Sequence, residues 1–206
     1  MASLPARARS RQGCRRYSLL ALLLIALPAH AAEPLTLTLQ GAAQVAFTPG
    51  DDAGALVITA IRNAKKQVLV QAYSFTHRDI GQALIDAKRR GVDVRVIVDL
   101  TQTENGKTSL IGWLTEQGVP MWVDAEHPAA HNKVMVIDAG AKTAAVVTGS
   151  FNFSHAADFR NAENVLVLRD NPNLAEAYAA NWRRHFTHAR PVRPGMFPVL
   201  NPSPRP

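Results

Sequence analysis

QVLVQAYS (residues 67–74) and VDVRVIVD (residues 92–99) are two short runs dense in Val, Ile and Leu. Between them, residues 80–90 carry a helical hydrophobic period that Gly91 ends. Working outward, residues 44–47 read as a short strand, and residues 54–65 as a helix with Leu56, Ile58, Ala60 and Ile61 on its apolar side. Residues 109–117 read as a helix stopped by Gly118, residues 121–123 as a third strand, and residues 133–138 and 144–148 as a hairpin around Ala139-Gly140. A strand over 164–168 and a closing helix over 173–185 complete the pattern. Strands alternating with amphipathic helices predict an α/β layer architecture, and the hairpin makes the sheet mixed.

The two ends read differently from the middle. Arg7, Arg9, Arg11, Arg15 and Arg16 precede an apolar core over 19–27, and Pro28-Ala-His-Ala31 offers an Ala-x-Ala cleavage site. This pattern predicts a cleaved export signal over 1–31, with a periplasmic or secreted destination and no stable membrane insertion after cleavage. The chain is formally +7, with 23 Lys and Arg against 16 Asp and Glu. Residues 1–31 hold five of the arginines and no acid, so the remainder carries only 18 basic against 16 acidic residues. The basic balance is therefore no argument for a nucleic-acid partner, and any attraction for phosphate must be local. The one cysteine, Cys14, also lies in the signal, which leaves the mature chain no disulfide or thiolate site. Residues 32–190 suit one catalytic domain. Pro191, Pro194, Pro198, Pro202, Pro204 and Pro206 mark 191–206 as an extended, poorly ordered tail.

Chemistry enters with His131-Asn-Lys133, then Asp138, then Gly149-Ser150-Phe151-Asn152. His131 and Lys133 are two apart at the opening of a strand, so both point to one side, and Met135 and Ile137 continue that face inward. Asp138 has the opposite parity and is read as holding the strand end or its turn. Ser150 and Asn152 share parity one strand later, with Gly149 letting the backbone come close. The hairpin brings both pairs to one edge. Without a metal, a phosphodiester needs a nucleophile active near neutral pH, donors for the phosphoryl oxygens and an acid for the leaving oxygen. Neutral imidazole supplies the first. Lys133, with Ser150 and Asn152, supplies the second. One histidine cannot be nucleophile and acid in the same step, so a second imidazole is required.

His131-x-Lys133-x4-Asp138 followed by Gly149-Ser150-x-Asn152 resembles the HKD motif of the phospholipase D superfamily. The run GSFNFSHAADFRNAEN (149–164) resembles the small exported single-motif endonucleases of the Nuc type, and the likeness extends back to AYSFT (72–76). The resemblance implies a three-layer α/β/α sandwich and a homodimer in which two motifs meet at a two-fold axis. It implies a covalent phosphohistidine on one His131, protonation of the leaving group by the other, and no cofactor or metal. It also implies that Glu163 orients His131 through Nδ1. The expected activity is non-specific endonucleolytic cleavage of DNA, with RNA left open; the alternative is the same chemistry on phospholipid headgroups. A non-catalytic binding protein is disfavoured, because binding alone needs no nucleophile.

The remaining candidates are read as structural. His77 is assigned to a loop surface rather than to the substrate groove, and His127 and His155 only flank the motif halves. His185 and His188 sit where a helix C-terminus favours cations. The histidines are scattered without metal-ligand spacing, so no zinc site is expected. Lys65-Lys66 and Lys88-Arg89-Arg90 read as solvated helix ends, and Trp113, Trp122 and Trp182 as core.

Overall fold

Residues 33–105 and 109–200 are described by the computed structural model; the predicted signal over 1–31 and residues 201–206 lie outside them. The chain divides into two units, Met1–Leu35 and Thr36–Pro206, and only irregular backbone over 33–35 is described in the first. Among the described residues, all regular elements belong to the second. In order they are β1 (Ala42–Thr48), α1 (Ala53–Asn63), β2 (Gln67–Ala72), α2 (Arg78–Arg89), β3 (Asp93–Asp99), α3 (Leu100–Asn105) and α4 (Ile111–Glu116). Then follow β4 (Met121–Asp124), β5 (Lys133–Ile137), β6 (Ala145–Gly149), α5 (His155–Phe159), β7 (Glu163–Arg169), α6 (Pro172–Phe186) and β8 (Arg190–Pro191).

The strands form one mixed sheet in the order β1-β7-β6-β5-β2-β3-β4-β8. Only β2–β3 and β3–β4 pair in parallel. Both faces of the central strands are covered, which is why their sequences run almost continuously apolar. Val68, Val70, Val96, Met135 and Val147 face Val57 and Ile61 of α1 and Ile80 and Leu84 of α2. Leu69, Ile97, Val134, Val136 and Val146 face the opposite way, onto Ala175, Ala179 and Trp182 of α6. The result is the expected three-layer α/β/α sandwich. Trp182 is wholly inside and donates from Nε1 to the Val70 carbonyl at 2.9 Å; Trp113 and Trp122 pack half-buried at the margins of the two cores.

Capping explains two helices that hydrophobic period does not reveal. Asp99 accepts from Gln102 N at 2.7 Å and so starts the polar α3; Ser154 Oγ accepts from Ala157 N at 3.2 Å and starts α5. Gly91, at φ 88°, closes α2 in the left-handed region that glycine adopts without strain.

The proline-rich end differs from its reading as loose chain. Arg190 and Pro191 add β8 to the sheet edge beside β4, and Val192 N donates to Met121 O at 2.9 Å. Phe197 and Val192 pack against the core, and a Cβ on Gly112 would strike the carbonyls of Phe197 and Pro198. The apolar Val192 and Phe197 between the prolines hold this stretch, so the boundary drawn at 190 and 191 falls inside a strand.

Asp138 lies in the β5–β6 turn at φ 51°, buried. Its carboxylate accepts from the backbone N–H of Lys65 (2.8 Å), Lys66 (2.7 Å) and Gln67 (2.9 Å), where the chain enters β2. Its own N–H donates to Gln67 O at 2.9 Å. Removing the buried carboxylate leaves three part-buried backbone donors without their acceptor. Asp138→Ala is therefore expected to lower unfolding free energy by about 2–4 kcal/mol with an unchanged m-value. Urea denaturation measures it, and a loss under about 0.5 kcal/mol, the size of an ordinary surface substitution, would contradict the anchoring role.

Candidate active site

The antiparallel pairings put the start of β5, the start of β7 and the ends of β2 and β6 on one edge of the sheet. Lys133 lies opposite Ala72, and Gly149 opposite Val165. On that edge His131, Lys133, Ser150, Asn152 and Glu163 line an open cleft of about 550 Å³. The alternation in Ser150-Phe-Asn-Phe153 explains part of this: Ser150 and Asn152 line the cleft, while Phe151 and Phe153 are buried in the core. Phe153 O accepts from Thr76 N at 2.9 Å and His77 N at 3.0 Å, which ties this loop to the chain leaving β2.

Lys133 is 8% exposed, while its ammonium reaches the solvent-facing His131. Nζ donates to His131 O at 2.7 Å and lies 3.0 Å from His131 Nδ1. It also sits 4.7 Å from the centre of the Tyr73 ring, which in turn lies 4.2 Å from the His131 ring. Burial pushes the Lys133 pKa below its ordinary value, and the negative Glu163 opposes that push. Ser150 Oγ accepts from Asn164 N at 3.1 Å and Asn164 Nδ2 at 3.3 Å, so its own hydroxyl proton is left to donate into the cleft. Asn152 Oδ1 is buried without a hydrogen-bond partner; a half-turn of the amide places its NH₂ there, a donor suited to an anionic oxygen. A Cβ on Gly149 would collide with the Asn164 carbonyl, so only glycine lets β6 and β7 approach at the cleft floor.

Several expectations change. Glu163 is not hydrogen-bonded to His131 in this structure: its carboxylate accepts from Asn161 Nδ2 at 3.1 Å, and Lys133 stands at His131 Nδ1 instead. Lys133 folds back over its own strand entrance, with Nζ held on the His131 carbonyl at 2.7 Å. Asp138, read from the sequence as holding the strand end or its turn, sits at the far end of β5, outside the cleft. His77 is neither on the surface nor in the groove. It is buried at the start of α2, with Nε2 2.9 Å from Asp158 Oδ2, and Asp158 Oδ1 accepts from Gly54 N at 2.9 Å. His155 is exposed, its ring 4.5 Å from Phe159. The reading of scattered histidines also fails. His127, His185 and His188 converge on the buried carboxylate of Asp124, whose partner His185 is 61 positions away in sequence. Burial raises the Asp124 pKa, but hydrogen bonds from the three imidazoles outweigh it and hold the group well below the carboxylate range. Tyr73 and Asn164 are site residues that pattern reasoning passed over, although both lie inside the two runs that carry the family likeness.

Residues 57–188 match the family model described as "Cardiolipin synthase, PLD-like domain". The chain is 38% identical over 146 residues to the phospholipase D of Rickettsia prowazekii (strain Madrid E), covering 71% of this chain and 68% of that one. It is 28% identical over 148 residues to the mitochondrial cardiolipin hydrolase of Xenopus laevis, covering 72% and 68%. Among solved structures it is similar to a phospholipase D family member, Nuc from Salmonella typhimurium, with TM-score 0.69, 37% identity, and coverage of 74% of this chain and 98% of that one. The chain belongs to the phospholipase D superfamily. It is a phosphodiesterase of that superfamily, with a mixed-sheet α/β fold.

As a phosphoryl-oxygen donor, the role the sequence assigns it, Lys133 is expected to act only while protonated, so activity is expected to fall as pH rises through its pKa. Glu163 holds that pKa up; in Glu163→Gln the alkaline limb of the kcat/KM profile is expected to move to lower pH. A pH–rate series on an aryl phosphodiester measures it, and an unmoved limb would show that the two charges are uncoupled.

Proposed function

We propose that this protein is an exported, periplasmic endonuclease that hydrolyses DNA, and RNA with it, through a phosphohistidine in a site shared by two copies of the chain. The observation that carries this reading is half of a reaction centre. Among the described residues His131 is the only imidazole lining the cleft, beside one lysine and two neutral donors. In-line displacement needs a second imidazole for the leaving oxygen, and a second copy brings one. The exposed Val45 and Phe47 on the outer strand β1 support self-association beside the cleft, because Thr48 pairs with Glu163 at its rim.

In the first step His131 Nε2 attacks phosphorus, the P–O bond to the leaving oxygen breaks, and the partner's His131 gives that oxygen its proton. In the second, the partner's His131, now neutral, takes a proton from water; the hydroxide attacks phosphorus and the P–N bond breaks. Nε2 can attack only while Nδ1 carries the ring proton. Lys133 must therefore leave Nδ1 for a phosphoryl oxygen, and Nδ1–H must find an acceptor, for which the carboxylate of Glu163 in either copy is the nearest chemistry on the cleft wall. Ser150 and Asn152 donate to the remaining oxygens, where charge gathers in the transition state.

A cation and neutral donors gathered on one open edge suit a phosphate that recurs along a polyanion. The second reading, a phospholipid headgroup, rests on the names of the Rickettsia and Xenopus relatives. Plasmid DNA, RNA, an aryl phosphodiester and phosphatidyl lipid vesicles are to be compared, with EDTA added at the start of each reaction. Nucleic-acid cleavage outrunning lipid hydrolysis is the expected result; preference for vesicles would transfer the assignment to the lipid reading. His131→Ala is expected to lose about 10⁴-fold or more in kcat on every substrate. Activity per protomer is expected to fall on dilution as the dimer separates, and a concentration-independent value from a monomer would end the shared-site proposal.

A further inference from the structure

A second constellation lies on the same sheet edge, away from the catalytic cleft. Asp124 is the last residue of β4, His127 follows in the connection towards His131, His185 is in the last turn of α6, and His188 lies in the turn before β8. One ligand atom from each lies within 4.8 Å of every other. From Asp124 Oδ2 the distances are 3.0 Å to His127 Nδ1, 3.0 Å to His185 Nδ1 and 3.2 Å to His188 Nε2. Tetrahedral zinc with Zn–N and Zn–O bonds of about 2.0–2.2 Å sets its ligand atoms about 3.3–3.5 Å apart. Three of the six edges are thus within a few tenths of an ångström of a zinc tetrahedron. The nitrogen–nitrogen edges are no longer than 4.8 Å and would have to shorten on binding.

The carboxylate is crowded: three imidazole nitrogens lie within 3.2 Å of Oδ2, His127 Nδ1 is shared with Oδ1 at 3.1 Å, and Oδ1 also takes the Glu126 N–H at 3.1 Å. Protonating the rings to strengthen those bonds would put like charges on centroids only 5.0, 5.2 and 5.5 Å apart. A cation at the centre avoids that repulsion, since each ring then turns a lone pair inward. A separate observation agrees: with Nε2 of His188 facing inward, its Nδ1 faces Glu126 Oε2 at 3.5 Å. A carboxylate on the outer nitrogen is the usual way a ligating imidazole is oriented.

We propose that Asp124, His127, His185 and His188 form a closed, four-ligand structural site for zinc(II), clamping the end of α6 and the root of β8 to the end of β4. Four protein ligands leave no open position, so the ion is structural rather than a generator of hydroxide. Imidazole-rich ligation favours zinc and its late transition-metal neighbours and disfavours magnesium and calcium, which prefer all-oxygen shells. The clamp also bears on the reaction centre. Ala130 N donates to Asp99 Oδ2 at 2.8 Å, so the segment leading to His131 is held by the end of β3 at one point and by the ion at the other.

The test uses the full chain, stripped with EDTA, desalted and titrated with zinc(II). About one zinc per chain is expected by calorimetry and elemental analysis, and cobalt(II) in its place should give a tetrahedral absorption spectrum. Melting temperature should rise by about 5–10 °C at a hundredfold excess of free zinc over its Kd, with no comparable rise in magnesium or calcium. His185→Ala/His188→Ala should abolish the stoichiometry. The half-exposed His127→Ala, which leaves the helix contacts intact, should weaken zinc binding at least about tenfold, one ligand being worth at least 1.4 kcal/mol. His131→Ala should bind zinc as the parent does, which separates this site from the catalytic reading. Failure to bind zinc at micromolar concentration, equal binding by the double variant, or loss of binding only in His131→Ala would each overturn the proposal.

Discussion

One carboxylate in a turn fixes where the catalytic strand lies. Asp138 gathers three successive N–H groups at the entrance to β2, at 2.7–2.9 Å, and so pins the far end of β5 against β2. Strand pairing has a period of two, so a slip of one residue would turn every side chain of β5 to the opposite layer. With the register held, Lys133 falls opposite Ala72, Met135 and Val136 go to opposite cores, and His131 emerges at the rim. The aspartate of the motif thus serves the histidine from the other end of the strand, without touching substrate.

At the rim the same geometry works electrostatically. Lys133 is largely buried, which makes its charge costly in water-poor surroundings and strong towards an anion. Tyr73 presents its ring face to the ammonium, Glu163 offsets part of the desolvation, and Ser150 is oriented by two bonds from Asn164. Ser150 is thus preorganised before a phosphate arrives, whereas Lys133 must first leave His131 Nδ1.

Much of this was legible in the sequence because it is local. The apolar runs of β2 and β3 mark strands buried on both faces, and the hairpin parity that unites His131 with Lys133 and the polar–apolar alternation of Ser150 to Phe153 follow from a period of two. What stayed hidden depends on contacts between distant segments. Asp124 meets His185 across 61 positions, and His77 meets Asp158 across 81, so no spacing rule reveals either cluster. The polar α3 has a cap but no hydrophobic period, and β8 is too short to leave a pattern. The relation of Glu163 to His131 escaped for another reason: parity gives the side a residue faces, but not which of two long side chains reaches a ring nitrogen first.

The two margins of the sheet are finished differently. On one side β8 is only two residues long and contains Pro191, which has no N–H to offer a further strand. That border is sealed against accretion. On the other side β1 runs for seven residues, with no proline within it and with Val45 and Phe47 facing water. Any growth of the sheet, whether orderly pairing or misassembly during folding, therefore has a single direction in which to proceed.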